Sequence, residues 1–496
     1  MRKIVYSFVI IFAAAVIFSA CKKEFLDIYP TDNISAFGVT SSTSTAMAAL
    51  NGIHRALYVR YGSQGRGGIG AWYYHIDEMG EDHVFNYATW TTHLRWLHRG
   101  ANDSYNEGNW LMFYGWIANA NILINGVGDN TSGTQEEKDI IVGQALLYRA
   151  WCHFNLVQMY ADRYVPGGGN NQLGIPLMLE STTEGQERAT VEAVYTQINT
   201  DIDAAILLLD GKPRTNKSHL NVDVGRGLKA RVALTMGEYA TAASYAVQAR
   251  DGYELMDSAT YFLGFRIGTE SNAEFMWASQ ITEDQTDKWA NYGAYVSRNF
   301  SSTSIRRNPR SIFSVLYDQI APTDVRKLLF DPTGDHLNLP PGIEIVSSAA
   351  RFPYTNQKFI AVSTSDSRVD VPNMRVSEMY LIEAEALARQ GGNDAGAAAA
   401  LYTMAVARDP SYTLSTNTGQ ALIDEIMIQR RVELWGEGFR WFDLKRLNLD
   451  LDRNGGNHSS SINNNLMFVP AGDNMWTSLI PQAEMDANPN MVQNPL

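Results

Sequence analysis

The chain is poor in cysteine, with two in 496 residues, which argues against a disulfide scaffold and any cysteine-rich metal site. It is also short of positive charge. Forty Lys and Arg stand against 53 Asp and Glu, a formal net charge of −13. A polyanion binder needs a basic footprint, so the balance argues against nucleic-acid recognition and against electrostatic docking on an anionic membrane. Charged residues make up 19% and apolar residues 45%. That is enough apolar material for a large core and unlike a disordered chain. After Cys21 no run approaches the ~20 apolar residues of a membrane span. No G-x-S-x-G elbow occurs, and Gly65-Arg66-Gly67-Gly68 and Gly167-Gly168-Gly169 do not stand between a strand and a helix. These glycines are read as turns rather than phosphate cradles.

The amino terminus has a short basic start, Met1-Arg2-Lys3, then an uncharged apolar run from Ile4 to Phe18. Such a run has the length of a signal-peptide core and is too short to span a bilayer. Phe18-Ser19-Ala20-Cys21 follows, small residues before a cysteine, as in bacterial lipoproteins that are cut before the cysteine and lipidated on it. Residues 1–20 are therefore expected to be a signal peptide, Cys21 the lipidation site, and 21–43 a polar tether. Removing 1–20 takes away Arg2 and Lys3 and no acid, so the mature chain is two charges more acidic. Cys152, in a run rich in large side chains, is expected to be a buried thiol without a partner.

What the chain does have is helical periodicity and aromatic surface. No proline occurs between Pro30 and Pro166. Between 135 and 161, Ile140, Ile141, Ala145, Leu146, Trp151, Phe154, Leu156, Val157 and Tyr160 fall mostly on one helical face, behind a Thr134/Glu137 capping box. Thr190 caps a helix to about Leu209. Pairs follow at 222–235 and 239–250, joined at Gly237, and at 375–389 and 394–408, joined at Gly391-Gly392. A further helix covers about 419–434. Strand-like alternation is confined to short stretches such as 358–363. Gly237, Tyr239, Ala242 and Ala246 keep the spacing of the second half of a tetratricopeptide repeat. The expected fold is mainly α, with stacked helical hairpins carrying long loops, especially between 251 and 372.

Several segments taken together resemble the SusD/RagB family of outer-membrane nutrient-binding lipoproteins. Residues 429–446 read Gln-Arg-Arg-Val-Glu-Leu-Trp-Gly-Glu-Gly-Phe-Arg-Trp-Phe-Asp-Leu-Lys-Arg, against the family's E-R-R-x-E-L-x-x-E-G-x-R-W-x-D-L-x-R; only Gln429 departs. Residues 375–385, 149–157, Gly174-Ile175-Pro176-Leu177, 229–234, Cys21 with Phe25-Leu26-Asp27, and the ending Ile480-Pro481-Gln482-Ala483-Glu484-Met485 with Asn488-Pro489 and Gln493-Asn494 fit as well. The resemblance covers nearly the whole chain. It implies a tetratricopeptide-like scaffold with irregular loops, forming a single body over 44–496 with an N-terminal region of about 44–250 and a C-terminal region of about 270–496. It also implies a non-enzymatic protein, anchored by lipid on the outer face of the outer membrane. There it would capture glycan and deliver it to a SusC-like TonB-dependent β-barrel transporter. A RagB-like peptide binder on an equivalent transporter is the alternative within the family.

Sugars stack on exposed aromatic rings, with their hydroxyls held by planar polar side chains. Two aromatic groups lie outside the scaffold motifs: Asn86-Tyr87-Ala88-Thr89-Trp90 running on to Trp96-Leu97-His98, and Trp289 to Tyr295. Trp90, Trp289 and Tyr292 are taken as stacking candidates, and Asn86, Asn291 and Arg298 as candidates for hydroxyl contacts. Trp72, Trp110, Trp116, Trp151, Trp277, Trp435 and Trp441 are assigned to the core.

Two clusters invite other chemistry. Glu433, Glu437, Arg440, Asp443 and Arg446 are spaced for opposite-charge contacts one turn apart. Glycoside hydrolysis uses a carboxylate pair with one raised pKa, but the surrounding arginines would keep these acids ionised, so a structural ion-pair network is expected and no catalytic residue is named. His75, His83, His93 and His98 lie within 24 residues, beside Asp77, Glu78, Glu81 and Asp82. His93 and His98 are five apart, poor spacing for a helical zinc pair, and no cofactor is expected. A Ca²⁺ on surface carboxylates is compatible with the composition. Outside the binding class, a surface hydrolase or an adaptor using its helical repeats are the competing readings.

Overall fold

The computed structural model describes residues 36–58, 68–182, 184–266, 268, 270–284 and 291–496. The expected signal peptide, Cys21 and Trp289 lie outside these residues. About 47% of the described residues are helical. The long helices are Thr43–Ala56, Gly68–Met79, Ser104–Gly126, Gln135–Tyr160, Val191–Leu209, Val222–Met236, Tyr239–Ala249, Val376–Gln390, Asp394–Val406 and Gly419–Glu433. None of the described helices is long and apolar enough to cross a membrane.

Their boundaries follow local chemistry. Thr134 Oγ1 accepts from the Glu137 amide and Glu137 returns the bond to the Thr134 amide, two otherwise orphaned donors satisfied at once. Thr190 caps the Val191–Leu209 helix through the Ala193 amide. Gly237 ends the next helix at φ 75°, a left-handed conformation that costs glycine little.

From Ser104 to Ala249 each long helix packs against its neighbour in sequence, and the Tyr239–Ala249 helix then packs against Val376–Gln390. The scaffold thus skips residues 250–375, which form an insertion on it. Ala242 and Ala246 are fully buried, as the close approach of these helices requires. The aromatic core Trp72, Trp116, Trp151 and Trp277 lies beneath, with Trp116 and Trp151 stacked at 5.8 Å. Cys152 is a buried free thiol.

Strand structure differs from the alternation in the sequence. Residues 358–363 form no strand; instead the Lys358 ammonium is buried, donating to the Glu433 and Trp435 carbonyls and to Glu437. Phe275–Ser279 pairs antiparallel with Val371–Arg375. A four-stranded sheet of two-residue strands joins His83–Val84, Ser311–Ile312, Thr355–Asn356 and Phe330–Asp331. Its register, Val84 opposite Ser311 and Ser311 opposite Thr355, brings three loops distant in sequence to one place.

The C-terminal charges form a network, but mostly between elements rather than along one helix. Glu433 meets Arg375 at 2.8 Å, Arg408 at 3.0 Å and Arg326 at 3.3 Å. Glu437 pairs with Arg375 and Lys358, each at 2.6 Å. Arg440 reaches Glu81, and Arg446 holds Glu385 at 2.7 Å and Asp443 at 2.8 Å. Only Asp443–Arg446 spans a single turn. The Asp77 carboxylate accepts from the Gly438, Phe439 and Arg440 amides. Gly438 sits at φ 84° with Tyr73 2.6 Å from where a Cβ would stand, so this turn admits no larger residue without movement.

Candidate functional site

The sheet pairing His83–Val84 with Ser311–Ile312 sets the segment after Val84 beside the one before Ser311. Asn308, buried, fills the gap between them. Its Oδ1 accepts from the Asn86 amide at 3.0 Å and the Tyr87 amide at 3.1 Å. Its Nδ2 donates to the Tyr87 carbonyl at 2.8 Å and the Thr89 carbonyl at 3.0 Å. One side chain therefore satisfies four backbone groups of a loop that has no ladder of its own.

That loop presents Tyr87 and Trp90, 53% and 49% exposed. Trp90 adopts φ 55°, a left-handed conformation costly for a large side chain. A large ring held in solvent on a strained backbone is the opposite of what folding alone would select, and it marks a functional candidate.

The other sequence candidates fall differently. Asn86 is at the base of the loop, half-buried, donating to the Pro309 carbonyl at 2.9 Å and to Ser311 Oγ at 2.8 Å; it holds the loop rather than facing out. Tyr292, expected as a stacking ring, is in the core at 1% exposure, with its hydroxyl donating to the Gly436 carbonyl at 2.6 Å. Its seat needs a glycine opposite, since a Cβ on Gly70 would lie 2.7 Å from Tyr292 Cβ. Asn291, 3% exposed, donates to Ser367 Oγ at 2.8 Å and accepts from the Ala294 amide. Arg298 is 1% exposed, donating to His336 Nε2 at 2.9 Å and the Ala350 carbonyl at 2.6 Å. The structure corrects these three expectations: polar and aromatic residues in a stretch without periodicity suggest surface, but tertiary packing buries them.

Trp72, Trp110, Trp116, Trp151, Trp277, Trp435 and Trp441 are all buried, as the core assignment expects. Trp96 is buried as well, donating to the Met79 carbonyl.

The histidines are drawn together more closely than their spacing suggests. His75, Glu78 and His93 offer ligand atoms within 4.8 Å of one another. However, the His75 and His93 rings stack face to face at 3.5 Å and 9°, which sets their in-plane lone pairs parallel rather than convergent. One Glu78 oxygen is also taken by Arg310 at 2.7 Å. Burial lowers the pKa of both imidazoles well below the usual histidine value, so the stack is neutral.

The acids of the C-terminal network do not suit general acid catalysis. Glu433 and Glu437 are held below the usual carboxylate range by Arg408, Arg375 and Lys358, against the opposing effect of burial. An open groove of about 530 Å³ is formed by residues of the 254–275 stretch. Its aromatic members Tyr261, Phe265 and Phe275 are buried, so it offers no free ring face.

Comparison with known proteins bears on this geometry. Residues 277–496 match the profile described as SusD family, and residues 71–234 match one described as starch-binding associating with outer membrane. No curated protein matches the chain. Among solved structures, a SusD-like carbohydrate binding protein from Bacteroides vulgatus is 27% identical, with a TM-score of 0.78 over 91% of this chain and 97% of that one. A SusD superfamily protein from Bacteroides thetaiotaomicron is 24% identical, TM-score 0.76, over 92% of this chain and 100% of that one. A laminarin binding SusD-like protein is 20% identical, TM-score 0.69, over 92% and 99%.

Proposed function

The chain belongs to the SusD family, and from that premise we propose that it is a cell-surface glycan-binding lipoprotein, not an enzyme. It is anchored through Cys21 to the outer membrane, facing outward. It captures oligo- or polysaccharide and passes it to a SusC-like TonB-dependent transporter. The Trp90 loop carries the reading at the level of the site. A half-exposed indole in a left-handed conformation, on a loop held by a buried asparagine, is a preorganised platform for the apolar face of a sugar ring, and ordering a platform in advance lowers the entropic cost of binding. Two relatives named for carbohydrate or laminarin binding support the ligand class. Trp289, in its own aromatic group, stays a proposed second stacking residue.

The test is a glycan array followed by titration of the purified protein and its Trp90→Ala and Trp289→Ala variants. Stacking an aromatic ring is worth about 1 kcal/mol or more beyond area, so Trp90→Ala is expected to weaken binding at least about fivefold with an unchanged melting temperature. Binding untouched by Trp90→Ala would refute this site. Binding of peptides and of no glycan would replace the ligand class with that of the RagB-like alternative.

A further inference from the structure

The chain is strongly acidic, and its buried arginines are as a rule paired: Arg375, Arg408, Arg326, Arg149 and Arg310 each meet a carboxylate. Arg298 does not. Among the described residues it forms no ion pair, although it is 1% exposed. Its Nε donates to a histidine, one Nη donates to a backbone carbonyl, and its other Nη is buried without a partner. The nearby Asp331 carboxylate is engaged by the Thr333 and His336 amides. The charge felt by Arg298 is that of another cation, Arg351.

This uncompensated charge is not isolated. The Ala350 carbonyl that Arg298 holds belongs to a residue whose amide donates to the Arg306 carbonyl. Arg306 in turn reaches Ser348 Oγ at 3.3 Å, and its Nε has no partner. Arg307 and Arg351 are exposed, and neither forms an ion pair among the described residues. Arg306 and Arg307 run directly into Asn308, the residue that holds the Thr89 carbonyl next to Trp90. A hydrogen-bonded strip thus links the Trp90 loop to four unpaired guanidiniums on an otherwise acidic protein. Burying a cation without a counter-ion is expensive, and that cost is offset when a ligand brings the missing negative charge.

We propose that the glycan taken by this protein is anionic, its carboxylate or sulfate groups bound by Arg306 and Arg351 beside the Trp90 platform, with buried Arg298 supplying a fixed positive field beneath. Guanidinium suits both groups, since its forked donors match their oxygens in pairs. The proposal rests on the glycan-binding reading above and narrows it to a substrate class.

Titration of the purified protein against polygalacturonate, dextran sulfate, and neutral laminarin and amylose tests it. The first two separate uronate from sulfate as the source of charge. The expected result is binding to at least one anionic polymer that weakens with added salt. Arg306→Gln and Arg351→Gln should each weaken it about tenfold, the worth of a charge-assisted hydrogen bond. Arg351→Lys should recover part of the loss, and melting temperatures should not change. Salt-insensitive binding to a neutral glycan, indifferent to both arginines, overturns the proposal and leaves the glycan reading standing. Binding to no glycan of either kind, with peptide bound instead, overturns both.

Discussion

At the residue scale, the site depends on a side chain that never meets the ligand. Asn308 satisfies four backbone groups of the Trp90 loop, and each buried backbone group left without a partner costs ~1–3 kcal/mol. Asn308→Ala is therefore expected to release the loop and weaken glycan binding, together with a lowered melting temperature. Asn308→Asp should keep the acceptor contacts to the Asn86 and Tyr87 amides and lose the donations to the Tyr87 and Thr89 carbonyls, giving an intermediate affinity. Calorimetric titration of the two variants beside the parent checks the order; equal affinity in all three would mean that the loop holds its shape without this residue. The backbone at Trp90 gives a second comparison. At φ 55°, Trp90→Gly should be more stable than Trp90→Ala by ~1 kcal/mol, while neither should bind glycan well.

At the scale of elements, the Gly419–Glu433 helix and the Gly436–Gly438 turn are joined to the insertion by charge. Glu433 and Glu437 ionise more readily in the folded protein than in an unfolded chain, since Arg375, Arg408 and Lys358 stabilise their charged forms. A depressed carboxylate contributes stability that is complete above its unfolded value, near 4.5, and is lost as pH falls through the lower folded value. The contribution of these two groups is thus expected to be complete above pH 5 and the melting temperature to drop steeply below about 4.5. Glu433→Ala leaves three buried arginines short of a partner and should cost ~3–5 kcal/mol, while flattening the acid limb of the same curve. Thermal melts from pH 3 to 8 check both; a Glu433→Ala profile parallel to the parent's would show that the network does not set the acid limit.

At the scale of the whole molecule, one hydrophobic cluster runs from Ala46 to Met491. It joins the region of about 44–250 to that of about 270–496. Ser478 and Asn494 near the C-terminus bond to the Met159 and Tyr160 carbonyls at the end of the Gln135–Tyr160 helix. The two regions are expected to unfold in one transition by calorimetry, and residues 44–250 produced alone should lack a cooperative melt. A cooperative melt of that fragment would make it a domain in its own right. Charge is also distributed at this scale. Net acidity argues against a polyanionic partner for the chain as a total, yet hydrogen bonds through Ala350 and Asn308 group four arginines without ion pairs near the Trp90 loop, where a local field matters more than the sum.

The helices were legible from residues because their causes are local. Periodicity chose the Gln135–Tyr160 face, Thr134 and Glu137 set its start, and Gly237 ended its neighbour. The family motifs were legible because they are contiguous. Asn308 and Arg351 carried no such signal. They matter only because Val84 pairs with Ser311, and the chain from Ala350 returns to Arg306; no spacing within either segment announces such contacts. For the same reason Trp90 and Tyr292, alike as aromatic residues in polar loops, ended on opposite sides of the surface. By itself the sequence determined which stretches coil, where they stop and which family they fall in, since hydrogen bonds between near neighbours settle those matters. Which ring meets solvent, and which arginine is left without a carboxylate, only the tertiary structure decided, because burial and charge pairing depend on groups hundreds of residues apart.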